Sequence, residues 1–149
     1  MGLFSFLGDV GKKIFPTEIS DVEKITYIHD EINKLNLPAH ISVEVSGTSV
    51  TLEGNVADQE IKEKIILAVG NLQGIETIND NIIVPQDNTI PESVFVTVKS
   101  GDTLWKISED AYGDGAKYNL IFQANKPMLH SADATYVGQQ LRIPTLEAV

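Results

Sequence analysis

Ile65-Ile66-Leu67-Ala68-Val69-Gly70-Asn71-Leu72-Gln73-Gly74-Ile75 is the stretch in which a helix runs out and a strand begins. Ahead of it, Asp58 stands where a side-chain cap belongs, and Ile61, Ile65, Ala68 and Leu72 trace a buried stripe at helical spacing. Gly70 is expected to end the helix with a left-handed cap, and Gly74 to turn the chain. A helix end leaves up to four carbonyls without partners, and these carry the negative end of its dipole. Two readings of the stretch stay open. One is an ordinary helix stop; the other is a cage of backbone oxygens for a bare monovalent cation.

Working outward, residues before and after the helix alternate as strands do. Ile41, Val43 and Val45 alternate with polar neighbours, Gly47-Thr48 marks a turn, and Val50 and Leu52 supply the return strand of a hairpin. A third strand is expected over Ile75–Val84, with Ile78, Ile82 and Val84 inward. Upstream, Ser20-Asp21-Val22-Glu23 has the spacing of a capping box, and Val22, Ile25, Ile28, Ile32 and Leu35 follow it at helical intervals. Glu60 and Lys64 are spaced to pair on the outer face of the second helix. The order is helix, strand, strand, helix, strand. Together with the phrase Val50-Thr51-Leu52-Glu53-Gly54-Asn55-Val56 it resembles the BON domain, over residues 20–84.

The first 15 residues set Leu3, Phe4, Phe6, Leu7, Val10, Ile14 and Phe15 among Gly8 and Gly11. Their spacing predicts a short amphipathic helix, weakened by the glycines, that folds back onto the body. Residues 1–19 are thus an N-terminal segment packed on the unit that follows, and the proline-bounded stretch 85–92 is a linker.

Beyond it, Val94, Val96 and Val98 alternate with Phe95 and Thr97 as a strand. Asp102 is placed to cap a helix whose inward positions are Leu104, Ile107 and Ala111 and which Gly113 ends. Tyr118, Ile121 and Phe122 lie on a second helix that stops before Pro127, and Leu141 and Ile143 close with a strand. The blocks Val98–Ser108, Ala124-Asn125-Lys126-Pro127 and Gly138–Pro144 resemble a LysM domain, over residues 93–145. The fold class is therefore α+β, two small domains in succession.

Composition narrows the function. There is no cysteine, so disulfides and thiol chemistry are excluded. Of the net charge of −10, residues 1–92 hold 6 Lys/Arg against 15 Asp/Glu, which disfavours nucleic acid and anionic membrane as partners. No apolar run is long enough to span a bilayer, and Met1–Asp9 lacks the basic start of a secretory signal; the reading is a cytoplasmic monomer. His29, His40 and His130 are scattered, and no phosphate loop or nucleophile motif occurs, so no enzyme is expected.

A LysM domain implies binding of N-acetylglucosamine glycans such as peptidoglycan, with a groove mapping to Gly101–Leu104 and Asn125–Met128. A cytoplasmic chain would not meet that ligand. The whole arrangement, through Met1–Phe4, Glu63–Ile75 and Val98–Pro127, resembles the small bacterial potassium-binding proteins of BON–LysM type. That resemblance implies selective binding of K+ over Na+, as sensor or buffer, with compaction on binding. It assigns the ion to the carbonyls of Gly70, Leu72 and Ile75 joined by those of Leu7, Val10 and Lys12, the Lys12 ammonium pointing away. Neutral carbonyl rings suit potassium, whereas carboxylates favour smaller, harder ions. The LysM unit is left free for a protein partner.

Overall fold

A computed structural model describes residues 2–16, 18–85 and 92–146. They form two units, 1–89 and 90–149.

The first unit is a four-stranded sheet carrying two helices. Strand β1 (Gly2–Ser5) is followed by α1 (Asp21–Lys34), β2 (Ala39–Ser46), β3 (Ser49–Val56), α2 (Gln59–Gly70) and β4 (Thr77–Ile83). The sheet order is β1-β4-β3-β2. β2 and β3 are an antiparallel hairpin, β3 and β4 run parallel, and β1 lies antiparallel on the far side of β4. A parallel pair cannot be joined by a tight turn, so α2 makes the crossover from β3 to β4. Period-2 alternation buries Ile41 and Val43 of β2, Val50, Leu52 and Val56 of β3, and Ile78 and Ile82 of β4 on one face. Ile28 and Ile32 of α1 and Ile61, Ile65, Leu67 and Val69 of α2 complete the core.

The N-terminus departs from its expected helix. Gly2–Ser5 is an extended edge strand in register Phe4↔Ile78 and Ser5↔Thr77. Its apolar residues have a free sheet edge beside them, and pairing there satisfies backbone groups that an isolated, glycine-weakened helix would satisfy poorly. α1 begins with the capping box, Ser20 Oγ accepting from the Glu23 amide at 3.2 Å, but Val22 in its first turn is exposed. Lys64 pairs with Glu60 at 2.9 Å, yet its side chain is buried, not outside, because α2 is covered on most of its faces. β4 starts two residues later than expected, and its inward position between Ile78 and Ile82 is Asp80. That carboxylate, 2% exposed, meets Lys62 at 3.0 Å and accepts from the Ile82 amide at 2.9 Å, so the buried charge is both paired and hydrogen-bonded.

The second unit is a two-stranded antiparallel sheet and two helices: β5 (Val94–Thr97), α3 (Leu104–Tyr112), a 3-10 turn (Gly115–Lys117), α4 (Tyr118–Ala124) and β6 (Gln140–Ile143). Val98, Leu104, Ile107, Ile121, Leu129, Leu141 and Ile143 form its core. The cap of α3 is Thr103, whose hydroxyl accepts from the Lys106 amide at 3.1 Å. Asp102 instead closes the turn before it, accepting from the Lys99 amide at 3.0 Å. Ala111 is exposed, since only the face bearing Leu104, Ile107 and Ser108 meets the core.

Candidate cation site

The N-terminal segment and the α2–β4 connection are stitched together by backbone hydrogen bonds. The Phe6 amide donates to the Glu76 carbonyl at 2.8 Å, and the Gly74 amide donates to Gly8 at 2.8 Å. Lys12 does both, donating to the Asn71 carbonyl at 3.1 Å and accepting from the Gln73 amide at 2.8 Å, as a parallel bridge to Leu72. Residues 6–12 are thereby laid alongside 71–76.

Glycines permit that approach, in ways the pattern alone does not show. A β-carbon on Gly70 would lie 2.1 Å from the Phe6 ring, so this glycine is a seat for Phe6 and not a left-handed cap. The cap of α2 is Asn71, with φ −81° and ψ 6°. The positive φ falls at Gly74 (+103°) and Gly11 (+113°). At Gly11 a β-carbon would stand 1.9 Å from the Asn71 carbonyl oxygen, so backbone meets backbone there with no room for a side chain. Phe15 adds a second anchor, its ring near Gly74 and edge-on to Tyr27 of α1 at 6.2 Å between centroids.

The structure therefore brings the two sets of sequence-assigned residues, Leu7, Val10 and Lys12 on one side and Gly70, Leu72 and Ile75 on the other, to one junction. Among the described residues no backbone amide donates to the carbonyls of Val10, Gly70 or Ile75. Those of Leu7, Lys12 and Leu72 each accept one bond, from Val10 (3.4 Å), Gln73 (2.8 Å) and Ile75 (3.2 Å). A carbonyl oxygen has two lone pairs, so each of these keeps one. The main-chain donors on offer are neutral oxygens, the kind that suits a large monovalent cation, and the Glu76 side chain packs over Gly8 beside them. Among the described residues no group of three or more His, Cys, Asp or Glu is arranged to hold a metal ion. The Lys12 ammonium lies 3.0 Å from Glu31 of α1. Phe6, Gly8 and Asn71, which build the junction, carried no such assignment; the density of glycines at 8 and 11 was their one visible signal.

In the second unit Asn125 joins α4 to β6. Its side-chain amide donates to the carbonyls of Ile121 (2.7 Å) and Arg142 (2.9 Å) and accepts from the Arg142 amide (2.9 Å). Asn125 is 1% exposed, so it lines no groove. The cleft beside Asp102–Leu104, about 570 Å³, is walled instead by Trp105, Tyr118, Ala132, Asp133 and Thr135. The Trp105 and Tyr118 rings lie 6.0 Å apart.

Fold and motifs define a chain of two small binding modules: the BON domain family matches residues 26–86 and the LysM domain family matches 96–144. The potassium binding protein Kbp of Escherichia coli O6:H1 (strain CFT073) is 41% identical over 149 residues, covering 97% of this chain and 99% of that protein. The chain belongs to the family of that protein. An uncharacterized protein of Deinococcus radiodurans is 33% identical over 114 residues, 70% of this chain and 44% of that one. The resuscitation-promoting factor Rpf of Micrococcus luteus is 37% identical over 49 residues, 33% of this chain and 22% of that one. No helix among the described residues is long and apolar enough to cross a membrane.

Proposed function

We propose that this chain is a potassium-binding protein that selects K+ over Na+ through backbone carbonyls at the junction of residues 6–12 with 70–76. The end-to-end identity with the potassium binding protein Kbp carries this reading. The carbonyls of Leu7, Val10, Lys12, Gly70, Leu72 and Ile75 would hold the ion in place of its water shell. A bound ion bridges two segments already joined by four backbone bonds, so binding tightens the N-terminal segment onto the first unit and compacts the chain. At about 100 times its dissociation constant a ligand adds about 2.7 kcal/mol to the bound form, enough to order such a segment. The chain works as a cytoplasmic monomer, without enzymatic activity, as sensor or buffer. Its acidic first unit keeps nucleic acid and anionic membrane away, and the LysM unit remains for a protein partner.

The test is titration of the full chain with KCl and with NaCl, followed by heat and by amide shifts. Potassium should shift amides at 7–12 and 70–76 and sodium should do so much more weakly. Equal weak responses to both salts would refute selectivity. A second reading, recognition of peptidoglycan, is favoured by the aromatic pair Trp105–Tyr118 at an open cleft. Retention of the chain on peptidoglycan, lost in Trp105→Ala, would support it.

A further inference from the structure

Lys12 sets a cationic side chain at the edge of a site of main-chain oxygens. Lys12 offers its carbonyl to the junction, and its ammonium stands on a four-carbon stem, 60% exposed. Its stem is mostly in solvent. What fixes its direction is Glu31 on α1: one carboxylate oxygen is 3.0 Å from the Lys12 ammonium and the other is 3.1 Å from that of Lys34. Glu31 itself is 12% exposed, so it is the stationary member of the three.

We infer that Glu31 is a positioning residue of the potassium site: it holds the Lys12 ammonium off the carbonyls and so keeps a built-in competitor away from the ion. The inference rests on the site proposed above. Both ammonium partners of Glu31 are largely exposed, so the bridge contributes little to folding. Its effect on a bound cation is larger. Two unit charges about 7 Å apart, the reach of a lysine from its own carbonyl, repel by an amount worth roughly three- to fiftyfold in affinity between bulk-water and near-surface screening. Replacing Glu31 would let the ammonium fold closer than that and would leave its charge without an opposing carboxylate.

The experiment titrates the full chain with KCl in choline chloride, reading amides 70–76, for the wild type, Glu31→Gln, Lys12→Gln and the double variant. Glu31→Gln should bind potassium roughly tenfold more weakly with little change in thermal unfolding, and the deficit should shrink as choline chloride is raised. Lys12→Gln keeps the main-chain carbonyl but removes the charge that opposes Glu31, so alone it should bind potassium more tightly than the wild type. The double variant should recover wild-type affinity, because the ammonium that Glu31 restrained is gone. A double variant as weak as Glu31→Gln overturns the inference, since Glu31 would then act through its own charge or through α1. Wild-type affinity in Glu31→Gln overturns it also, while leaving the site itself standing. A wild-type chain with no potassium response at these amides removes the site and the inference together.

Discussion

The two units fasten distant segments by opposite means. In the first, residues 6–12 are held to 71–76 by main-chain bonds, and side chains enter mostly by being absent, at Gly11 and Gly70. In the second, α4 is held to β6 by side chains: Asn125 makes three bonds to main chain, and the buried Arg142 guanidinium donates to the Ala124 carbonyl at 3.0 Å and to Ser93 Oγ at 3.1 Å. A side-chain clasp consumes the carbonyls it reaches. A main-chain junction satisfies some and leaves others without an amide donor. The first arrangement suits a cation and the second suits a rigid module.

The contrast is broken most severely at Asn125. Asn125→Ala strands three buried main-chain groups, each worth about 1–3 kcal/mol and not additive, so a total of about 3–4 kcal/mol is expected. Trp105, the chain's one tryptophan, lies in this unit and reports its unfolding by fluorescence. The Trp105 transition should fall sharply in denaturant while the potassium shifts at 70–76 persist. Loss of both would mean that the units do not behave separately.

Gly11→Ala tests the other half. Its β-carbon would collide with a carbonyl oxygen that cannot move cheaply, at a cost of about 2 kcal/mol or more. The N-terminal segment should detach, potassium affinity should fall at least tenfold, and the Trp105 transition should stay where it is. Gly47→Ala is the control, having positive φ (+63°) with nothing within 4 Å of the added carbon. It should cost about 1 kcal/mol of strain and leave potassium affinity unchanged. If the two glycine variants bind alike, the close approach at Gly11 is irrelevant to the ion.

The same difference explains what the sequence reveals. Side chains that do work leave letters: Asn125 ahead of Lys126-Pro127 and Arg142 ahead of Ile143-Pro144 are what mark the second unit as LysM, and period-2 and helical spacings place the hairpin, α1 and α2. Carbonyls leave none, since every residue has one. Leu7, Val10 and Ile75 therefore came from resemblance and not from spacing. Phe6 and Gly70 touch across 64 positions, and no local pattern joins them. The N-terminal strand is hidden in the sequence for a related reason. The spacing of Leu3, Phe4, Phe6 and Leu7 fits a helix as well as a strand over so short a run, and only the vacant edge of β4 decides between them. Gly70 likewise reads as a cap by position, and its use as a seat for an aromatic ring is a tertiary fact.

The smallest expected effect separates the units by pH. The Tyr112 hydroxyl donates to the Pro144 carbonyl, closing the end of β6 onto α3. Burial raises this phenol above its ordinary 10.0, with the nearby Arg142 charge opposing, and burial raises Tyr136 likewise. A group with a raised folded value contributes stability that is fully present below its unfolded value and is lost as pH climbs through the folded one. The Trp105 transition of the wild type should therefore hold steady to about pH 10 and weaken above it. Tyr112→Phe should forfeit about 1 kcal/mol at neutral pH, the worth of one hydrogen bond, and lose less than the wild type on going alkaline, with Tyr136 supplying the remainder. The potassium response at neutral pH should be untouched, because no side-chain hydroxyl takes part in the carbonyl junction. An alkaline loss of equal size in wild type and Tyr112→Phe would show that this phenol contributes nothing to the clasp, and the side-chain account of the second unit would then rest on Asn125 and Arg142 alone.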